Sequence, residues 1–561
     1  MKKFLLSILL LSITSHHFGN VVKDELCERI YLQTDKQIYL AGESIRMKLL
    51  TFDPELIPLV FSKVAYVELV DDSLAVQQIK VELINGVGEG IMQLPANLPT
   101  AYYRLIAYTQ YMRNEGTEVF FKKSIGIVNT FQSGDYPVDT EKEEQFSFQD
   151  FSTTGDISLQ LDKITYTTRD RGEVIVNGLP DNIYSLSISI SGKDLVLATE
   201  PEVLLLRKAG IKKPMEFSGK FLPEYEGHII TGKIIDNQTG NIATDKTSFN
   251  TGLSFPGDGI RYFTGQQSET EDVRFITSGV SGMVEAATII FDTDNKYRVD
   301  IQSPFVSQFA PESLPALRID SAYYSELLAR SVALQVLHYF SDDSVDNQVI
   351  SEPFMKIKPT YSYMLDEYTR FTTMREIFTE FIKEGRFRRR NDNWEISIAV
   401  KRGDNSVSYS TPLVFLDGVP ISDHGIIYNY DPLTVERINA YHIPYIFGGL
   451  LFDGIVEFKT YNKIHQNLDL NISTQIIPYE GPQTLRRFHT PDYSVEKNRR
   501  SRIPDGRHTL LWNPDIRTNG ETSVSLPFDT SDLAGEFQVV IEGITEDGKF
   551  VFASTSFNVT K

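Results

Sequence analysis

Few residues in this chain stand at the spacings that chemistry requires. His424, His442 and His465 fall near one stretch, yet none belongs to a His-Glu-x-x-His pair that would set two imidazoles on one helix face for zinc. Cys27 is the only cysteine, so there is no cysteine pair for a metal site and no internal disulfide can form. It lies among acidic residues, Asp24-Glu25 before it and Glu28 after it, which raise a thiol's pKa and make it a poor nucleophile. No Gly-x-Ser-x-Gly elbow, phosphate loop or dinucleotide fingerprint occurs. Carboxylates are abundant, and two facing each other in a cleft could hydrolyse a glycoside, but spacing singles out no pair. Two arginine groups remain: Arg386, Arg388, Arg389 and Arg390 in one run, and Arg499 to Arg502 with Arg486-Arg487 nearby. Such cations read as a solvated face or as partners for the chain's own acidic loops, and the functional alternative is contact with an anionic partner. The residues thus point to a protein that is not an enzyme and has no cofactor and no metal.

Composition narrows the class further. With 55 Lys and Arg against 75 Asp and Glu the formal net charge is -20, which disfavours nucleic acid because phosphate binding needs a basic surface. At 561 residues the length suggests about four domains. A hydrophobic share of 41% supplies each with a core, and 36 Gly, 27 Tyr and 35 Phe in short alternating runs read as mostly β. Residues 1–19, with Lys2-Lys3 ahead of the apolar run Phe4 to Ile13, read as a secretory signal peptide. No later run is long enough for a transmembrane helix. Asp24-Glu25-Leu26 before Cys27 does not suit a lipoprotein signal.

The stretch from Leu413 to Thr460 organises the remaining chain. Leu413 to Leu416 is an apolar strand ending at Asp417-Gly418, a pair suited to a tight reversal. Asp431-Pro432-Leu433 starts a helical turn with Pro at its first position. A strand with Val435, Ile438, Ala440 and His442 follows, then the Gly448-Gly449 break and a closing strand from Ile455. This order resembles the plug domain of TonB-dependent outer-membrane receptors. The residues carrying the resemblance are Asp417, Gly418, Val419, Pro420, Val435, Glu436, Arg437, Ile438 and Gly454. The 561 minus 460, or 101, residues beyond Thr460 are too few for a transporter barrel, which has about 22 strands of roughly 9 residues each.

Upstream, Asp35, Lys36, Tyr39, Gly42 and Glu43 open a run of short strands and resemble the first domains of the macroglobulin family. Tyr39 should pack, Gly42 should turn, and the charges should face water. Asp162, Lys163 and Tyr166 repeat the spacing, with Gly172-Glu173 matching Gly42-Glu43 after three extra residues. The cysteine of the family's Cys-Gly-Glu-Gln thioester has no counterpart, since Cys27 sits in Cys-Glu-Arg. A third run, from His228, resembles carboxypeptidase regulatory-like or macroglobulin sandwiches. Leu327, Leu328, Val332 and Val336 predict an amphipathic helix capped at Asp320 and packed through that stripe, and a second helix covers Met374 to Lys383.

The expected fold is mainly β: tandem macroglobulin- or immunoglobulin-like β-sandwiches plus an α+β plug-like domain. The expected divisions are a signal peptide at 1–19, a first sandwich at 26–130, an acidic linker at 131–156 and a second sandwich at 157–221. A third sandwich follows at 222–305, a helical connector at 306–353, the plug-like domain at 354–463 and a C-terminal β unit with a polar insertion at 464–561. That last unit reads as a small sandwich, or as part of one whose other strands precede the insertion. The resemblances imply an exported envelope protein, in the periplasm, peripheral to the outer membrane or at the cell surface. It would be an adaptor or binding module for a protein or glycan there. Alternatively its plug-like domain serves a separate TonB-dependent barrel in trans, or a carboxylate pair makes it a hydrolase.

Overall fold

The computed structural model describes residues 27–132, 157–193, 217–243, 248–257, 259–267, 272–291, 296–312, 314–317, 319, 323–340, 358–401, 407–447, 450–463, 468, 470–484, 488, 490–518 and 520–561. The signal peptide, most of the acidic linker, Asp320, Gly448-Gly449, His465 and Arg486-Arg487 lie outside these residues. The protein is mainly β, with several separate sheets. Two compact units divide it: Met1–Tyr225, Val306–Gln348 and Gln483–Lys561 in one, Glu226–Phe305 and Val349–Pro482 in the other.

In the first unit, the eight strands from Arg29–Thr34 to Phe121–Val128 form one sandwich among the described residues. Leu32, Ile45, Met47, Val67, Leu105 and Ile125 are buried in it. The Asp35-Lys36-x-x-Tyr39 segment folds into a latch at its entrance. The Tyr39 hydroxyl donates to Asp35 Oδ1 at 2.8 Å, and the same oxygen accepts the Arg46 N–H eleven residues on, at 3.1 Å. The short strand Ile38–Leu40 then pairs in parallel with Phe121–Val128. The charges do not face water as expected: Asp35, Lys36 and Glu43 are all buried.

The second copy repeats this geometry. Tyr166 donates to Asp162 Oδ1 at 2.8 Å, that oxygen accepts the Glu173 N–H eleven residues on, and Thr165–Thr167 pairs in parallel with Phe550–Thr560. Lys36 reaches Glu43 seven residues on, at 2.7 Å, and Lys163 reaches Asp170 seven residues on, at 2.9 Å. The match of Gly172-Glu173 to Gly42-Glu43 is therefore corrected. The counterpart of Gly42-Glu43 is Arg169-Asp170, with no extra loop residues. Arg169 holds the left-handed turn at φ 55 where Gly42 has φ 91.

The second sandwich is built from two distant stretches, which corrects the separate divisions 157–221 and 464–561. Ile183–Gly192 pairs with Gly535–Thr545 on one side and Thr509–Asn513 on the other, and Arg171–Asn177 pairs with Ser523–Asp529. A few short strands cannot bury both faces of Ile183–Gly192. Its Leu186, Ile188 and Ile190 fill the sandwich core, where the returning strands add Val539, Ile541 and Val551. Its serines, which alternation alone would assign to solvent, are buried against the first sandwich. Ser187 donates to Gln33, Ser189 to the Asp35 carbonyl, and Thr509 to Asp35 Oδ2 at 2.7 Å.

In the second unit, the strands from His228–Asp236 to Tyr297–Ile301 form two four-stranded sheets among the described residues, but only once Thr474–Glu480 joins Met283–Ile290. The third sandwich thus extends past the expected 222–305. The chain re-enters the first unit at Gln483. There its side chain brackets Ile91 with two 2.9 Å hydrogen bonds, and its backbone bonds Lys80 and Glu82 where two strands of the first sandwich diverge.

The expected connector helix is present at Tyr324–Phe340, rotated from the expected stripe. Leu327, Arg330 and Ser331 are buried, whereas Leu328 and Val332 are each 54% exposed. The rotation follows from charge. Arg330 makes a two-pronged contact with Glu43 at 2.9 and 2.7 Å and also donates to the Ile38 carbonyl. A guanidinium cannot enter a protein interior without such partners. Burial raises the Glu43 carboxyl, but Arg330 and then Lys36 override it and hold it well below the usual carboxylate range.

Arg330→Met is expected to destabilise the first unit by about 3 kcal/mol near neutral pH, because Glu43 stays buried without its main partner. Urea unfolding followed by Trp512 fluorescence in a Trp394→Phe background measures it. Glu43 is depressed from 4.5, so the wild-type advantage is complete above that pH and fades as the pH falls further. A difference that stayed constant into acid would contradict the ion-pair origin.

Candidate functional site

The stretch from Leu413 to Thr460 forms the core of a five-stranded mixed sheet. Its order is Tyr361–Met364, Val435–Tyr441, Ile455–Thr460, Leu413–Leu416, Val419–Ile421. Leu413–Leu416 runs parallel to Ile455–Thr460 and reverses through Asp417 (φ 50) and Gly418 (φ 86), with Leu416 opposite Val419. This is the two-residue hairpin that Asp-Gly favours. Asp417 is buried and accepts the Thr460 N–H at 2.8 Å and the Thr460 hydroxyl at 2.6 Å. At Gly418 a Cβ would lie 2.9 Å from Pro256 Cα, and the Gly418 carbonyl accepts the Ser254 hydroxyl, so this turn seats on the third sandwich.

The other motif residues are also framework. Val419, Pro420, Val435 and Ile438 are buried, and the half-buried Glu436 and Arg437 pair at 3.8 Å. Gly454 has φ 110, and a Cβ there would meet Ile398 and the Tyr441 carbonyl. Asp431 caps the turn Pro432–Thr434, and Thr373 with Glu376 forms a capping box on the helix Met374–Glu380.

The arginine run is the Gly385–Arg390 strand, at the edge of a three-stranded sheet with Asn393–Lys401 and Val407–Ser410. Arg386, Arg388, Arg389 and Arg390 are all exposed. The Arg386 and Arg388 guanidiniums stack over the Tyr409 ring at 4.0 and 5.2 Å, Arg389 pairs with Asp392 at 3.1 Å, and Arg390 approaches Glu395 at 3.9 Å. In the other group, Arg499 approaches Asp170 at 3.8 Å and Arg500 pairs with Glu496 at 2.5 Å, both within the first unit.

The candidate chemical residues take structural places. His424 Nδ1 accepts the Ile396 N–H at 3.0 Å, and burial pushes its imidazole down to about 4. His442 is buried against the Tyr361 ring. The Cys27 thiol is pushed up, first by burial and then by Glu115. Among the described residues no group of three His, Cys, Asp or Glu is placed to hold a metal ion, and no helix is long and apolar enough to cross a membrane.

Three features were missed at the level of sequence. Tyr409 sits opposite Ala399 and reaches the arginines only through cross-strand pairing. Trp394 stacks on Tyr428 at 4.2 Å, on the unforeseen helix His424–Tyr428. Around the Gly-Gly break, Tyr445–Phe447 and Leu450–Phe452 form a hairpin whose Ile446 and Leu451 are 73% and 63% exposed. The apolar residues flanking those glycines were its available signal.

No family profile matches the chain, and no curated protein matches it in sequence. Among solved structures it is similar to Salmonella alpha-2-macroglobulin reacted with methylamine. The identity is 9% and the TM-score 0.25, over 96% of this chain and 40% of that one. It is also similar to the native conformation of E. coli alpha-2-macroglobulin, at 11% identity and a TM-score of 0.24, over 95% of this chain and 40% of that one. The chain therefore spans well under half of those proteins. At such TM-scores its domain types rest on its own strand pairings.

Asp417→Ala is expected to cost about 2 kcal/mol in the second unit by stripping Thr460 of its partner, read by Trp394 fluorescence during urea unfolding in a Trp512→Phe background. A second expectation concerns pH. An unfolded His424 takes up its proton near 6.5, whereas the folded one does so only near 4. Stability of this unit should therefore decline as the pH falls from 6.5 to about 4 and then level off for this group. His424→Gln should flatten that decline, and an unchanged slope would remove His424 as its source.

Proposed function

We propose that this chain is an exported, non-enzymatic binding module of the Gram-negative cell envelope, acting at the outer membrane on a protein or a surface glycan. The observation that carries this reading is the five-stranded sheet. It has the strand, Asp-Gly turn, short helix, strand, glycine break and strand that resemble a TonB-dependent receptor plug. The described strands after Thr460 all join sandwiches, so this plug-like sheet belongs to a β scaffold. Strings of sandwiches hold surfaces apart, and their loops and edges bind.

The exposed Ile446–Leu451 pair on the hairpin beside that sheet favours a second reading, in which the plug-like domain engages a separate TonB-dependent barrel in trans. One experiment separates the two. A photo-crosslinking residue is placed at Leu451, and another at the exposed Ile84 of the first sandwich, followed by irradiation of intact cells and identification of adducts. Adducts with envelope proteins or glycans at either position, without a barrel, support the binding module. A barrel captured from Leu451 and not from Ile84 supports the plug in trans. Absence of specific adducts at both positions overturns both.

A further inference from the structure

The Gly385–Arg390 strand has one strand neighbour among the described residues, Asn393–Lys401, and none of the other described strands pairs with its second edge. The Ala399 N–H donates to the Glu384 carbonyl at 2.7 Å. Antiparallel pairing alternates from that bond, so Arg386, Arg388 and Arg390 direct their backbone groups to the inner strand. Phe387 and Arg389 direct theirs outward. The exposed edge is thus also the most basic run of a chain with net charge -20. Stacking on Tyr409 holds the Arg386 and Arg388 guanidiniums on one face, and Arg389 and Arg390 are the two that carry local carboxylate pairs.

We infer that this edge takes an extended acidic segment of a partner protein as an added strand. Main-chain hydrogen bonds to Phe387 and Arg389 supply the attachment, as in other strand additions. The arginines supply the choice of partner. A second copy of this strand would bring four more arginines to an edge that already carries four, and like charges oppose the pairing, whereas an acidic strand brings charge of opposite sign. Charge complementarity therefore selects an acidic peptide over self-association. The inference rests on the binding-module reading and names the chemistry of its partner.

The test uses the full chain and fluorescein-labelled peptides of about eight residues, within the usual range of strand lengths, alternating Thr-Glu or Thr-Lys, with binding read by anisotropy. The Thr-Glu peptide is expected to bind in a salt-sensitive manner, and the Thr-Lys peptide is not. Arg386→Glu with Arg388→Glu should weaken binding at least about tenfold. Arg389→Pro removes the outward N–H without touching the inner ladder and should weaken binding about tenfold more than Arg389→Ala. An unchanged far-ultraviolet circular dichroism spectrum checks the fold of each variant. Equal binding of the two peptides, no binding of Thr-Glu, or equal effects of the Pro and Ala variants would overturn the added strand. If polygalacturonate displaces the peptide and binds the Pro and Ala variants equally, the edge is a polyanion site instead. Capture from envelope extracts keeps the two readings distinct. A partner retained by the Glu variants defeats this inference alone, whereas no partner for the wild type defeats the binding module.

Discussion

One strand, Ile183–Gly192, constrains the path of the chain, because both of its neighbours come from residues 509–545. Its two faces are buried differently: Leu186, Ile188 and Ile190 in a hydrophobic core, the alternating serines against the first sandwich. A strand so placed cannot remain unpaired in water without exposing both its backbone edges and its apolar face. The third sandwich and the five-stranded sheet are therefore inserted within the second sandwich in chain order. The insertion is nested, since Thr474–Glu480 must also return to complete the third sandwich. Pairings this distant close large loops before they are rewarded, so the first sandwich, local in sequence, is the natural early-folding part.

The two latches show what a repeat preserves. Tyrosine hydroxyl, aspartate oxygen and a backbone N–H eleven residues on recur in both copies, and each lysine lies over its tyrosine ring, at 4.9 and 5.3 Å. Glycine is not preserved. The left-handed turn needs a particular φ, and Arg169 adopts it while its guanidinium grips Asp532 and nearby backbone carbonyls. Matching the copies on Gly-Glu therefore gave the wrong pairing, because residue identity stood in for backbone geometry. The acid that follows the turn is what both copies keep. In the first it also anchors the helix through Arg330, and in the second Arg499 lies nearby.

Features with local causes were legible in the sequence. The Asp417-Gly418 hairpin, the Pro432 turn and the helix from Met374 each depend on a few neighbouring residues and appear as expected. Features decided by distant partners were not. The helical stripe at Tyr324–Phe340 contained enough apolar residues for two faces, and Glu43, far upstream, decided which one is buried. Domain limits failed for the same reason, since no local signal marks a strand whose neighbour lies hundreds of residues away. The arginine run was legible as charge, but its position on a sheet edge and its stacking on Tyr409 depend on register.

That register changes what the arginines mean. On a solvated loop, four cations in a strongly acidic protein would find the chain's own carboxylates, as Arg500 does with Glu496. On this edge strand Arg389 and Arg390 still do, with Asp392 and Glu395, but Arg386 and Arg388 do not. Arg386 and Arg388 reach across the neighbouring strand and stack on Tyr409 instead of folding back onto acidic loops. Edge arginines are a common defence against unwanted strand pairing, and here the defence is selective by sign. Like charges directly opposite each other oppose pairing with a copy of this strand or with any basic strand. The same four side chains therefore make a strand edge the most basic run of a strongly acidic chain.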